Sequence, residues 1–148
     1  MKIAVGSDHR GLDYKKLVIE LLTGMGHSCQ DFGPDTAEPV DYPDVAKTVS
    51  DAVVHNEYDR GVLICGTGIG MSIAANKVRG IRAALCCDSF AAERARLHND
   101  ANIICLGAER GTSGLEEMLE AFFKTPFEGG RHQRRLDKVH QIEDEGSI

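Results

Sequence analysis

The chain has 148 residues, 42% of them hydrophobic, and a formal net charge of −6, which favours one globular domain and argues against a nucleic-acid-binding surface. No apolar run approaches the roughly 18 residues of a membrane span, and the N-terminus lacks the charged-then-apolar order of a signal peptide. The five cysteines are an odd number, and three stand in or at the end of apolar runs, a pattern typical of reduced thiols in a cytoplasm. We therefore expect a cytoplasmic protein with no nucleic-acid or membrane partner.

Short apolar runs alternate along the chain with longer segments of helical spacing. The runs cover residues 3–5, 28–32, 61–65, 81–86 and 103–106. One helix is predicted to end at Gly24 or Gly26, and others to begin near Pro43, Gly68, Ser89 and Gly114. This alternation predicts an α/β fold with a five-stranded parallel sheet and helices on both sides. The strands show little polar alternation, so we expect both sheet faces to be covered.

The pattern changes after Phe123, where a Pro/Gly break precedes a charged tail that starts at about residue 125. We predict that this tail is helical and that residues 1–148 form a single domain.

Ligands of parallel sheets bind at the carboxyl ends of the strands. The segments that follow the five predicted strands are "GSDHRG", "GPDTAEPVDYPD", "CGTGIG", "CDS" and "GAERGTSG". Three of them are rich in glycine and two carry acid–base groups. Asp8, His9 and Tyr42 are therefore expected on the ligand side of the sheet.

The glycine-rich segment 66–70 allows three interpretations. A dinucleotide fingerprint would explain Gly66 and Gly68 between a strand and a helix, but Met71 stands where that motif needs its third glycine. A second interpretation is a tight turn without ligand. The third is an anion cradle, in which backbone N–H groups at a helix N-terminus stabilise a phosphate or an oxyanion that develops during a reaction.

Cys65 ends the apolar run directly before this turn. Such a cysteine is most often a small buried hydrophobe, but a helix N-terminus favours the thiolate form. A thiolate beside an oxyanion cradle is a base beside an enolate stabiliser, the pair needed for proton abstraction next to a carbonyl. For Cys86, Cys87 and Cys105 the structural interpretation is preferred.

His98 and Asn99 end the predicted fourth helix, at the opposite edge of the sheet from Cys65. His98 is either a C-terminal helix cap or a catalytic group that a second subunit supplies at a two-fold interface. Arg131 and Arg135 are spaced i, i+4 in the tail and would share one helix face. Such a face is either simply solvated or suited to a phosphate monoester.

The segments "GSDHRG", "DYPD", "ICGTGIGMSIAANK", "GIRAAL", "RLHNDANIICLG" and "EGGRHQRR" together resemble the type B ribose-5-phosphate isomerases. The resemblance runs from residue 2 to about residue 140. The wider group includes allose-6-phosphate and galactose-6-phosphate isomerases. The resemblance implies a Rossmann-like, three-layer α/β/α sandwich, a homodimer or dimer of dimers with active sites shared at the interface, and neither metal nor nucleotide nor other cofactor.

The resemblance also implies roles for individual residues. Cys65 resembles the base that moves a proton between C1 and C2 through an enediolate. Thr67 stands where the family assists proton movement between the oxygens, and His98 resembles the group that opens the sugar ring, with Asp8 in the same pocket. The enediolate cradle would comprise Gly66, Gly68 and Gly70. The phosphate site would comprise His9, Arg131 and Arg135, and the sugar contacts Tyr42 and Asn99.

One segment departs from the family pattern. Many members carry an arginine near the phosphate after the fifth strand, whereas this chain has Glu109 in that place and Arg110 one residue later. Because a glutamate would repel a phosphate, we expect this loop to be re-routed so that it presents Arg110.

The predicted function is an aldose–ketose isomerase that interconverts ribose 5-phosphate and ribulose 5-phosphate. The alternatives are an allose-6-phosphate isomerase and a non-catalytic sensor of phosphosugars or nucleotides. Cys65, His98 and Asp8 together favour an enzyme, because a sensor needs neither a base nor a ring opener.

Overall fold

The structure is a computed structural model that describes residues 1–146; the last two residues of the predicted 1–148 domain lie outside the described residues. Its strands are β1 (Lys2–Ser7), β2 (Ser28–Asp31), β3 (Arg60–Cys65), β4 (Ala83–Leu85) and β5 (Ile103–Gly107). Its α-helices are α1 (Leu12–Gly24), α2 (Tyr42–Val54), α3 (Ile69–Ala75), α4 (Ser89–Asn99), α5 (Leu115–Lys124) and α6 (Arg131–Glu145).

The five strands form one parallel sheet in the order β2-β1-β3-β5-β4, which confirms the predicted α/β class. The chain moves outward from β1 to β2 and then returns to place β3 on the other side of β1. The strand order therefore reverses between β1 and β3, and a crevice is expected at their carboxyl ends. Asp8 follows β1 and Cys65 ends β3, so both flank this point.

Side chains of each central strand alternate between two cores. On β3, Val62 and Ile64 pack with apolar residues of α1, α4 and α5, whereas Leu63 and Cys65 pack with residues of α2 and α3. Burying both faces of the sheet in this way produces the three helix–sheet–helix layers.

The edge strands differ from the prediction that both faces are covered. β2 and β4 have only four and three residues, most of them at least partly exposed, because an edge strand has a neighbour on one side only. The predicted strand 81–86 is shorter in the structure. The Arg82 N–H donates to the Asn102 side chain at 2.8 Å instead of extending a ladder.

Local signals set the helix ends. α1 ends at Gly24, as predicted, and Pro43 lies in the first turn of α2. The Asp88 carboxylate accepts from the Ala91 N–H at 2.7 Å and caps α4. The charged tail forms α6, as predicted. Within residues 1–146, no helix combines the length and the apolar character that crossing a membrane requires.

Candidate active site

A cleft of about 310 Å³ opens at the carboxyl ends of β1 and β3. We call it the cysteine cleft. Its lining residues come from the segments after β1, β3 and β5 and from the start of α2: Asp8, Arg10, Tyr42, Cys65, Gly66, Thr67, Gly70 and Glu109. The sheet topology therefore brings together residues that lie up to 101 positions apart in the sequence.

Cys65 lies at the floor of this cleft and is 6% exposed. Its sulfur accepts a hydrogen bond from the Gly68 N–H at 3.1 Å. Gly68 has a φ of 79°, in the left-handed region that favours glycine, and this conformation turns its N–H back toward the sulfur. A backbone donor aimed at the sulfur stabilises negative charge on it.

The turn after Cys65 offers free backbone donors. The N–H groups of Gly66, Thr67 and Gly70 make no hydrogen bond to any residue that the structure describes, and all three residues line the cleft. Three unpaired N–H groups beside a thiol can bind an oxyanion. The N–H of Gly68, predicted as part of the cradle, is instead used by the Cys65 sulfur.

At two of these positions an added Cβ would meet a side chain of another element. A Cβ on Gly66 would lie 2.6 Å from the Glu109 Oε1, and a Cβ on Gly70 would lie 2.8 Å from the Tyr42 ring. The glycines therefore let Glu109 and Tyr42 close directly on the turn.

The segment after β1 forms a short 3-10 turn capped by Asp8, whose Oδ1 accepts from the Arg10 N–H at 2.9 Å. Asp8 is 7% exposed. His9 is half-buried and is not among the residues that line the cleft; its Nδ1 accepts from the Val40 N–H at 3.3 Å.

Tyr42 reaches the cleft at the end of a loop that a buried lysine secures. Lys15 is fully buried, and its Nζ lies 2.7 Å from both the Asp31 Oδ1 and the Pro34 carbonyl oxygen. Asp31 also accepts from the Gly33 N–H at 2.7 Å. Lys15 thus holds the start of the loop whose far end carries Tyr42.

Glu109 and Arg110 face different cavities. Glu109 lines the cysteine cleft and pairs with Arg10 at 3.1 Å. Arg110 lies along a separate cavity of about 200 Å³ that Tyr14 and Cys87 also line. Contrary to the expectation, the structure does not bring Arg110 into the cleft, because the 3-10 turn rotates successive side chains by about 120°.

The remaining predicted site residues lie elsewhere. His98 and Asn99 end α4, and Arg131 and Arg135 lie on the first turns of α6; none of these four lines the cysteine cleft. His98 stacks on His132, with ring centroids 4.3 Å apart and planes inclined by 12°. We call these two residues the histidine pair.

Two arginines fix the end of α4 that carries His98. Asp100 has a φ of 44°, and its carboxylate contacts Arg96 at 2.8 Å and Arg82 at 3.3 Å. The Arg82 Nε also donates to the carbonyl oxygens of Asn99 and Asp100 at 3.0 and 3.1 Å. These bonds satisfy carbonyl groups that a helix end leaves unpaired.

The histidine pair also has an acidic neighbour. One potential metal-ligand atom from each of His98, Glu128 and His132 lies within 4.8 Å of the other two. Ring nitrogens direct their lone pairs in the ring plane, so two nearly parallel rings do not converge on one ion. Burial, followed by the neighbouring His98, lowers the pKa of His132, which favours the neutral form of His132.

The other core thiols are unsuited to act as bases. Burial raises the pKa of Cys86 to about 12 and raises the pKa of Cys105 well above its ordinary value. Both results agree with the structural interpretation of these two cysteines.

Sequence reasoning did not single out Arg10 or His132. Arg10 stands inside "GSDHRG", where Asp8 and His9 drew attention, and His132 stands inside "GGRHQRR" between arginines. Only their positions inside these motifs could have pointed to them. The contact of Arg10 with Glu109 and that of His132 with His98 depend on the tertiary structure.

Comparison with known proteins finds similarity over almost the whole chain. The sequence model of the family described as Ribose/Galactose Isomerase matches residues 3–139. A putative sugar phosphate isomerase of Bacillus subtilis (strain 168) is 47% identical over 146 residues, covering 97% of this chain and 98% of that protein. A ribose-5-P isomerase B of Listeria innocua is 46% identical and covers 97% of each chain.

Solved structures agree with these sequence relatives. The ribose-5-phosphate isomerase B of Clostridium thermocellum superposes with a TM-score of 0.97 at 47% identity, covering 99% of this chain and 100% of that one. The Mycoplasma genitalium ribose-5-phosphate isomerase B with bound ribulose 5-phosphate has a TM-score of 0.92 at 44% identity, covering 97% of both chains. The chain therefore belongs to the ribose/galactose isomerase family.

Proposed function

We propose that the protein interconverts ribose 5-phosphate and ribulose 5-phosphate, with Cys65 as the base. The observation that carries this proposal is the buried thiol at the floor of a cleft, adjoining three free N–H groups of Gly66, Thr67 and Gly70. Relatives named for the same reaction, and one solved with ribulose 5-phosphate, support the substrate.

The reaction moves one proton between adjacent carbons. The Cys65 thiolate removes the proton from C2 of the open-chain aldose, and the electron pair passes to the C1 carbonyl oxygen to form an enediolate. The thiol returns the proton to C1, while a proton moves from the C2 oxygen to the C1 oxygen with help from Thr67. The free N–H groups stabilise the enediolate charge, which is greatest between these two steps.

Ring opening is assigned to His98 of a second subunit. His98 lies at the amino-terminal edge of the sheet and Cys65 at the carboxyl edge, so the two residues of one chain serve different sites. In a two-fold dimer each chain would offer its histidine pair, together with Arg131 and Arg135, to the cysteine cleft of the other. His9 and these arginines would then bind the phosphate, and Tyr42 and Asn99 the sugar.

Substitution of the base is the direct test. Cys65→Ala is expected to lower kcat by about 10³-fold or more, since general base catalysis contributes roughly 10²- to 10⁴-fold. Phosphosugar binding, measured by calorimetry, should remain. Cys105→Ala is the matched control, because that thiol is buried and lines no part of the cleft. Isomerisation at the normal rate by Cys65→Ala would refute the assignment.

Mixing two inactive variants tests the shared site. Cys65→Ala and His98→Ala subunits, once exchanged, form heterodimers in which one site retains both residues. We expect about a quarter of normal activity for random pairing, since half of the dimers are then mixed and one of their two sites is complete. Absence of recovery despite demonstrated subunit exchange would contradict the geometry.

A steady-state comparison of ribose 5-phosphate, allose 6-phosphate and galactose 6-phosphate separates the enzyme alternatives. A sensor would show ligand-dependent thermal stabilisation without turnover of any of the three.

A further inference from the structure

Arg10 and Glu109 face each other across the cysteine cleft. The Arg10 Nη1 donates to the Glu109 Oε1 at 3.1 Å, and the two side chains are 64% and 56% exposed. Neither side chain makes another hydrogen bond or ion pair with a residue that the structure describes. The pair therefore lies at the solvent-exposed side of the cleft.

Backbone contacts hold the pair directly over the turn that follows Cys65. The Glu109 N–H donates to the Gly66 carbonyl oxygen at 2.9 Å. A Cβ on Gly66 would lie 2.6 Å from the Glu109 Oε1 and 3.5 Å from the Arg10 Cδ. The 3-10 turn capped by Asp8 fixes the backbone of Arg10. Both charged groups are thus within reach of any ligand that touches the turn.

The charges that line the cleft indicate that this pair affects how strongly an anionic substrate binds. Among the lining residues, Asp8 and Glu109 are acidic and Arg10 alone is basic. A phosphate monoester carries about −1.5 to −2 charges near neutral pH, so both carboxylates repel it, and Arg10 is the cation within the cleft's own lining that can offset this repulsion. A guanidinium donates two parallel hydrogen bonds to phosphate oxygens.

The existing ion pair is weak enough to be exchanged. Exposed pairs of this kind contribute little to stability because water screens both charges. A phosphate has more charge than the Glu109 carboxylate and can accept from both arms of the guanidinium. It is therefore the stronger partner for Arg10.

We propose that Arg10 and Glu109 form a phosphate latch: Glu109 holds Arg10 in the empty cleft, and the substrate phosphate replaces Glu109 as the partner of Arg10. This inference rests on the proposed function. It adds Arg10 to the phosphate contacts proposed above for His9, Arg131 and Arg135, and it gives Glu109 the role of an internal competitor that weakens binding of phosphate.

The two residues are therefore expected to affect substrate binding in opposite directions. Arg10→Met should raise the KM for ribose 5-phosphate about 10- to 100-fold, as expected for one charge-assisted contact, with kcat changed much less. Glu109→Gln should lower both the KM and the competitive inhibition constant of inorganic phosphate, by about 2- to 5-fold. An ion pair that only stabilised the loop would give the same direction of change in both variants.

Lys124→Met and Glu120→Gln are matched controls, because that pair on α5 is comparably exposed, at 67% and 45%. Both controls should leave KM unchanged. An unchanged KM in Arg10→Met, or an increase in both latch variants, would overturn the latch while leaving the isomerase assignment intact.

Calorimetric titration with inorganic phosphate tests the latch independently of turnover. Weaker binding in Arg10→Met and tighter binding in Glu109→Gln are expected, and equal affinities in these two variants would overturn it. Absence of turnover by the unmodified protein with all three sugar phosphates would instead refute the proposed function.

Discussion

Gly107, the last residue of β5, offers a test of the oxyanion cradle from outside the cleft. Its Cβ, if present, would lie 2.7 Å from the Thr67 carbonyl oxygen and 2.8 Å from the carbonyl carbon. Ordinary contact begins near 3.4 Å, so Gly107→Ala must push the turn away by roughly 0.7 Å. Gly107 itself has φ −101° and ψ 110°, which alanine adopts without strain. The whole effect therefore acts on the turn.

Overpacking of this kind costs about 1–3 kcal/mol of unfolding free energy. A displacement of about 1 Å in a reacting geometry can cost roughly 10²-fold in rate, so a shift of this size should lower kcat by about tenfold or more. Because the N–H groups bind charge that develops during the reaction, kcat and kcat/KM should fall together.

Steady-state isomerisation of ribose 5-phosphate and urea unfolding measure the two effects separately. Gly24→Ala is the control, since a Cβ at this helix end meets no atom within 4 Å; it should keep full activity and normal or slightly higher stability. A Gly107→Ala protein that loses stability but keeps its kcat would refute the idea that the turn stabilises the enediolate.

Three further predictions concern buried groups. Iodoacetamide at pH 8 should modify the exposed Cys87 but not Cys86, whose pKa burial raises to about 12; equal labelling by mass spectrometry would contradict this. Lys15→Met should lower the unfolding free energy by about 1–3 kcal/mol. The value should lie at the low end, because Asp31 is 36% exposed and water can solvate its carboxylate in the variant. An unchanged urea midpoint would refute this prediction. Because burial lowers the pKa of His132 in the folded state, the unfolded chain binds a proton at this residue more readily than the folded protein does. Stability should therefore fall as the pH drops below about 6.5, and less so in His132→Gln.

The central part of the fold was predictable from the sequence because its strands are buried on both faces. The predicted runs at 61–65 and 103–106 differ from β3 and β5 by one residue at an end. The edge strand predicted at 28–32 also differs from β2 by one residue, whereas the edge strand predicted at 81–86 is shorter at both ends in β4 (Ala83–Leu85). The Asn102 side chain accepts from the Arg82 N–H, so the strand begins at Ala83 and not at residue 81, which no local sequence pattern reveals.

The candidate site divides in the same way. Cys65 and the glycine turn lie in one continuous segment, and their juxtaposition follows from the order of strand, turn and helix. The Arg10–Glu109 pair joins residues 99 positions apart, and the sequence showed only that Glu109 would repel a phosphate. The tertiary structure places the two loops side by side over Gly66. It shows that Arg10, and not Arg110, is the cation that pairs with Glu109.

The polarity of a parallel sheet explains why the proposed chemistry requires two chains. Every strand of this sheet ends at the edge that holds Cys65, and α4 must run back to the opposite edge before β5 can begin. His98 stands at the end of that return, held there by Arg82 and Arg96 through Asp100. No side-chain rotation moves His98 across the sheet. His98 can therefore open the sugar ring only if the site is shared by two chains. Recovery of activity in mixed Cys65→Ala and His98→Ala dimers would support both, and failure would return His98 to the role of a helix-end residue.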